Sequence, residues 1–105
     1  MPVIHVTSEE HFTELISKQG LVVVDFSASW CGPCKWIAPY YEEFSNQYTN
    51  AVFAKVDIDE LQELSGNLNI DGVPSFFFYV NGEKKDEVVG ADTEGVKEAI
   101  KKYIS

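Results

Sequence analysis

The spacing of apolar positions changes several times along the chain, and each change marks an element. Val3 to Val6 reads as a first strand. Thr7 followed three residues later by Glu10 has capping-box spacing, and Phe12, Leu15 and Ile16 mark one apolar face, so a short helix is expected over 8 to 18. Leu21 to Phe26 (LVVVDF) is a continuous β-branched run interrupted only by Asp25, the pattern of a strand covered on both faces and central in its sheet. Ile37, Tyr41, Phe44 and Tyr48 then recur at helical spacing, and Cys34 extends the same stripe, so Cys34 is expected to face inward. Pro39 lies inside this second helix and predicts a kink.

Residues 51 to 57 (AVFAKVD) predict another buried strand, and Leu61, Leu64 and Leu68 a short third helix. The aromatic run SFFFYV follows Gly72, Val73 and Pro74, and Asn81-Gly82 is a two-residue hairpin signal leading into a strand through Val88 and Val89. Val96, Ala99, Ile100, Tyr103 and Ile104 mark one face of a last helix, whose negative C-terminal end Lys97, Lys101 and Lys102 complement. The order is βαβαβ followed by αββα. Strands alternating with helices imply parallel crossovers and the hairpin adds an antiparallel edge, so the expectation is an α/β three-layer sandwich: a mixed sheet of five strands flanked by four helices.

A length of 105 residues fits one domain, expected over 1–105, with a core large enough to need no metal or disulfide staple. The net charge is −9 and all eight basic residues are lysine, which argues against nucleic acid, because a phosphate backbone is bound by neutralising it and guanidinium is the favoured group. The first twenty residues carry no apolar run of signal-sequence length and nothing later approaches a spanning helix, so a cytoplasmic protein without membrane association is expected if Met1 is the true start. Two cysteines separated by two residues suit a reducing compartment better than a disulfide framework.

The chemistry concentrates in Trp30-Cys31-Gly32-Pro33-Cys34-Lys35, at the carboxyl end of the central strand, where open α/β sheets place reactive sites. Free N–H groups and the dipole at a helix start stabilise negative charge, which marks Cys31 as the nucleophile. Cys34, a turn further on the buried stripe, loses hydration on ionising and keeps its proton longer, as a resolving thiol requires. A zinc site needs about four ligands, and only these cysteines and the distant His5 and His11 are available. Asp25 stands out because an ionised carboxylate in a Val-rich strand is costly without compensation; the alternative is a solvent-facing strand residue sharing a face with Val23.

The segment FSASWCGPCKWIAPYYEEF resembles the active-site segment of thioredoxins, GVPSFFFYVNGEK resembles that family's tract around a cis-proline, and VVGA its glycine turn before the last helix. With the element order, the resemblance covers roughly residues 3 to 104. It implies the thioredoxin fold and a protein-disulfide reductase: Cys31 attacks a substrate disulfide, and Cys34 resolves the mixed disulfide and leaves a redox-active Cys31–Cys34 disulfide. It further implies regeneration by a thioredoxin reductase, either an NADPH-dependent flavoprotein or a ferredoxin-dependent enzyme, with no cofactor bound to this chain and disulfide-containing proteins as substrates.

By the same resemblance Asp25 is the buried carboxylate that helps remove the Cys34 proton, and Lys55 interacts with it, although Lys55 alone reads as an ordinary strand-end charge. Pro74 alone reads as a tolerated strand start. The resemblance implies instead that it is cis and packs against the dithiol, while the Val73 backbone pairs with an extended substrate segment. Trp30, Gly32, Pro33, Val73, Pro74 and Gly90 are then expected to line a shallow groove. Trp36 departs from the family pattern of a smaller apolar residue; it is expected partly exposed, either covering its helix or enlarging the contact surface. The competing functions are a disulfide oxidant or isomerase of the same fold, whose dipeptide carries histidine before the second cysteine where this chain has Pro33, and a redox-switched binding module.

Overall fold

Every side chain from Leu21 to Ser27 is buried, which explains why this strand shows no polar alternation. The structure, a computed structural model, describes residues 3–104; Met1, Pro2 and Ser105, at the ends of the expected domain, lie outside the described residues. The elements are β1 (Ile4–His5), α1 (Glu9–Ile16), β2 (Leu21–Ser27), α2 (Gly32–Gln47), β3 (Val52–Asp57), α3 (Gln62–Asn67), β4 (Ser75–Val80), β5 (Glu83–Val89) and α4 (Thr93–Tyr103). One sheet has the order β1-β3-β2-β4-β5, with β1 and β2 parallel to β3, β4 antiparallel to β2, and β5 antiparallel to β4.

Successive residues of β2 serve different cores. Leu21 and Val23 pack with Ile37, Tyr41 and Phe44 of α2 and with Val96 and Ile100 of α4. Val22, Val24 and Phe26 pack with Phe12 and Leu15 of α1 and Leu64 of α3. The helices therefore form two outer layers around the mixed sheet, the expected three-layer α/β sandwich. Each fully buried Val or Phe side chain stabilises by about 1.5–3 kcal/mol against a net stability of about 5–15 kcal/mol, so neither helical layer is dispensable.

The boundaries differ from expectation where caps and edges decide them. Pairing with β3 alone, β1 contracts to Ile4–His5. The N-cap of α1 is Ser8 rather than Thr7: Ser8 Oγ accepts from His11 N at 3.0 Å, while His11 Nδ1 accepts from Thr7 N at 3.0 Å. His11 thus takes the reciprocal part expected of Glu10. Leu61 and Leu68 fall at the caps of α3, and α2 continues through Pro39 to Gln47. Asn81 and Gly82 have φ of 51° and 87°, the two positive values that a tight hairpin between twisted strands needs. Strand β5 exposes Glu83, Lys84, Lys85 and Glu87, and its register with β4 shifts at Phe78/Tyr79.

Candidate active site

Strand β2 ends at Ser27 and α2 starts at Gly32, so a four-residue connection delivers Cys31 to the N-cap of the helix. Its backbone is extended, at φ −92° and ψ 111°, and its Sγ accepts a hydrogen bond from Cys34 N at 3.2 Å. Pro33 fits in the first turn because the N–H it lacks has no partner there. Cys31 and Cys34 are joined in a disulfide with Cα atoms 5.3 Å apart. The Cys34 N–H, at the positive dipole end of α2, is thus directed at the Cys31 sulfur. Both cysteines are only 4% exposed, so the inward position expected of Cys34 is shared by Cys31 in the disulfide form, where Ala28, Ile58 and Val73 pack about the pair.

Opposite the disulfide, the Val73–Pro74 peptide bond is cis and the Val73 carbonyl oxygen lies 3.7 Å from Cys31 Sγ. Pro74 is fully buried, which makes it a floor beneath this surface rather than an exposed lining, and its carbonyl accepts from Gly90 N at 2.8 Å. Gly90 has φ +101°, a conformation that side chains disfavour. Trp30, 67% exposed, is anchored by donation from Nε1 to Asp59 Oδ2 at 2.8 Å. Asp57 Oδ1 accepts from the amides of Asp59 at 2.8 Å and Glu60 at 3.3 Å, which fixes that carboxylate. Trp36 is 54% exposed and leans on Tyr40 with ring centroids 5.0 Å apart. Gly32 and Pro33 are exposed beside the disulfide.

Asp25 is 1% exposed, so it is not a solvent-facing strand residue, and its Oδ1 has no hydrogen-bond partner among the described residues. Burial lifts its pKa from 3.8 to about 7, with the Lys55 charge opposing the rise. Strand pairing sets Lys55 directly beside it. The Tyr41 hydroxyl lies near the carbonyl oxygens of Ala54, at 2.7 Å, and Val23, at 3.0 Å; it has one proton to donate between them. Burial first, and the Asp25 charge second, push its pKa well above the ordinary tyrosine value.

The sequence-predicted residues thus fall into two groups: Trp30, Cys31, Gly32, Pro33, Cys34, Val73, Pro74 and Gly90 around the disulfide, and Asp25 with Lys55 beneath α2. Sequence reasoning missed Tyr41, which its stripe position marks only as core, and Asp59, for which an acidic residue in an acidic turn gives no signal. Among the described residues no group of three or more His, Cys, Asp or Glu side chains is placed to hold a metal, and no helix is long and apolar enough to cross a membrane.

Comparison with known proteins shows what this arrangement is shared with. The sequence profile of the family described as Thioredoxin matches residues 2–104. The chain is 50% identical over 98 residues to Thioredoxin 1 of Plasmodium falciparum, covering 93% of this chain and 94% of that protein. It is 48% identical over 96 residues to Thioredoxin-1 of Schizosaccharomyces pombe, covering 91% and 93%. A solved Plasmodium falciparum thioredoxin superimposes with a TM-score of 0.92 at 50% identity over 96% of this chain and 99% of that one. A Schistosoma mansoni thioredoxin does so at 0.92 and 45% identity, covering 98% and 96%.

Proposed function

Because the chain belongs to the thioredoxin family, and is thus a thiol–disulfide oxidoreductase, we propose that it works as a protein-disulfide reductase in which Cys31 attacks and Cys34 resolves. The Cys31 thiolate attacks one sulfur of a protein disulfide; the new bond forms as the substrate S–S bond breaks, and the departing sulfur takes a proton from solvent. Cys34 gives its proton to the Asp25 carboxylate and attacks Cys31 Sγ, which releases the second substrate sulfur and leaves the Cys31–Cys34 disulfide. Two electrons pass from dithiol to substrate.

The observation that carries this reading is the disulfide at the start of α2, with Cys31 Sγ as the cap. The buried Asp25, its pKa raised to about 7, supports the proton step, since a general base works best near the operating pH. Lys55 limits that rise and keeps the carboxyl able to ionise. The Val73 backbone pairs with an extended substrate segment, and Trp30, Gly32, Pro33 and Gly90 flank it above Pro74. Such pairing gives affinity with little side-chain selectivity. A thioredoxin reductase restores the dithiol, no cofactor is bound by this chain, one domain over residues 1–105 carries the cycle, and the cytoplasm supplies the reducing setting.

Turnover of insulin disulfides and trapping test the assignment. Cys34→Ser is expected to abolish turnover and to hold substrates as mixed disulfides on a non-reducing gel, while Cys31→Ser holds none. Trapping by Cys31→Ser, or turnover by Cys34→Ser, overturns the roles.

A further inference from the structure

Two recesses on the α2 side of the sheet share walls. One, of about 110 Å³, is lined by His5, Asp25, Ala38, Tyr41, Glu42 and Lys55, with Val3. The other, of about 310 Å³, includes Cys34 along with the same His5, Ala38 and Lys55. The buried carboxyl therefore lines one recess, the resolving cysteine the other, and His5 both. Pairing explains the arrangement: His5 is the register partner of Lys55 across β1 and β3, and Lys55 of Asp25 across β3 and β2. Residues directly opposite in neighbouring strands point to the same face, so Asp25, Lys55 and His5 form one row from the centre of the sheet to its edge. Liquid water occupies about 30 Å³ per molecule, so the smaller recess has room for a short file of waters.

We propose that His5 is a proton-exchange residue for Asp25, passing the proton that Asp25 receives from Cys34 out to solvent through water in the recess that both line. This rests on the reading of Asp25 as acceptor of the Cys34 proton. The balance is simple: the proton moves from Cys34 sulfur to the Asp25 carboxylate, from there through water to the free nitrogen of the imidazole, and from the imidazole to bulk water, restoring the carboxylate. No electrons move in these transfers. His5 neither touches the substrate nor reacts with a sulfur, so its part is that of a positioning residue for protons.

The chemistry of the neighbours favours the imidazole. The groups facing the two recesses are Asp25 from β2, Lys55 and Asp57 from β3, and Lys35, Tyr41 and Glu42 from α2. An ammonium has no lone pair to accept a proton, which removes Lys35 and Lys55. The Tyr41 hydroxyl is engaged with backbone carbonyls, and Asp57 Oδ1 with the amides of Asp59 and Glu60. Glu42, exposed on α2, is the competing exit. An imidazole accepts on one nitrogen while donating from the other, so it can take a proton from the recess and give one up to solvent.

The test is single-turnover release of a substrate from its mixed disulfide, followed from pH 5.5 to 8.5 in weak buffer, for the parent, His5→Gln, Asp25→Asn and the double variant. His5→Gln is expected to slow release by up to about tenfold near neutral pH, less than the 10²–10⁴ contributed by a direct general acid or base. Added imidazole is expected to restore the rate of His5→Gln and to leave the parent unchanged, which a merely structural loss does not allow. In the Asp25→Asn background, removing His5 is expected to cost nothing further. Release from His5→Gln at the parent rate, a loss that imidazole does not rescue, or a loss that persists without Asp25 overturns the proposal. So does a loss in Glu42→Gln with His5→Gln silent. Parent-like release from Asp25→Asn overturns the underlying reading instead.

Discussion

Replacing Asp25 by asparagine is expected to stabilise the fold and slow the chemistry at once. The carboxyl is 1% exposed and one of its oxygens has no partner among the described residues, so ionising it forfeits hydration that Lys55 only partly offsets. A folded pKa of about 7 against an ordinary 3.8 corresponds, at about 1.4 kcal/mol per pH unit, to about 4 kcal/mol. The sign follows from which state holds the proton. Below pH ~4 both the folded and the unfolded chain are protonated and this stability is fully present. Between there and about 7 the unfolded chain gives up the proton and the folded one keeps it, so stability falls; above about 7 the loss is complete. An amide does not titrate. The stability of Asp25→Asn relative to the parent is therefore expected to climb across that window and then level off. With urea slopes of about 1–3 kcal/mol per molar, the midpoint difference should grow by about 1.5–4 M between pH 4 and 8. Melts of the disulfide form keep the cysteines from titrating, and other groups cancel in the difference. A midpoint difference that stays constant over this range would refute burial as the cause of the raised pKa. The kinetic limb is slower release of mixed disulfides near pH 7, by up to about 10²–10⁴ for loss of a general base.

Pro33→His places a cation beside the Cys31 thiolate, which exists only in the open dithiol, so the potential is expected to rise by about 30 mV for each 1.4 kcal/mol of stabilisation. Equilibration with glutathione reads this, and an unchanged or lower potential refutes the part assigned to the dipeptide. Gly90→Ala adds a methyl group that meets nothing within 4 Å, yet forces a side chain into φ +101°. A destabilisation of about 1–3 kcal/mol in urea is expected from the backbone alone, and a neutral effect counts against it.

Much of the molecule was readable because its local patterns agree with its final contacts. The run Leu21–Phe26 is apolar on both faces except at Asp25 because α2 with α4 and α1 with α3 cover it, and Asn81-Gly82 supplies the positive φ values that the hairpin needs. Cys31 and Cys34 could be placed because strand and helix meet at that motif. What stayed hidden depends on register across strands. Nothing local to His5 connects it with Asp25, twenty positions later; the link passes through Lys55 on β3. The Trp30 anchor is equally nonlocal, since Asp59 approaches it only after β3 is paired with β2. Cys31 is as buried as Cys34 because packing by Ile58 and Val73, contributed from outside the helix, does not follow helical spacing.

The two margins of the sheet bear on the company the protein keeps. A surface that greets partners through bare peptide groups is inherently sticky, and any other unpaired strand would invite the same embrace from another chain. Here β1 offers only two residues, while β5 is crowded with lysine and glutamate and broken in register at Phe78/Tyr79. Both margins are thereby made poor templates for fibrous or pairwise adhesion. Under the proposed reading of Val73 as the backbone that substrates pair with, promiscuity is confined to that neighbourhood, where each encounter would end in electron transfer and departure rather than accumulation.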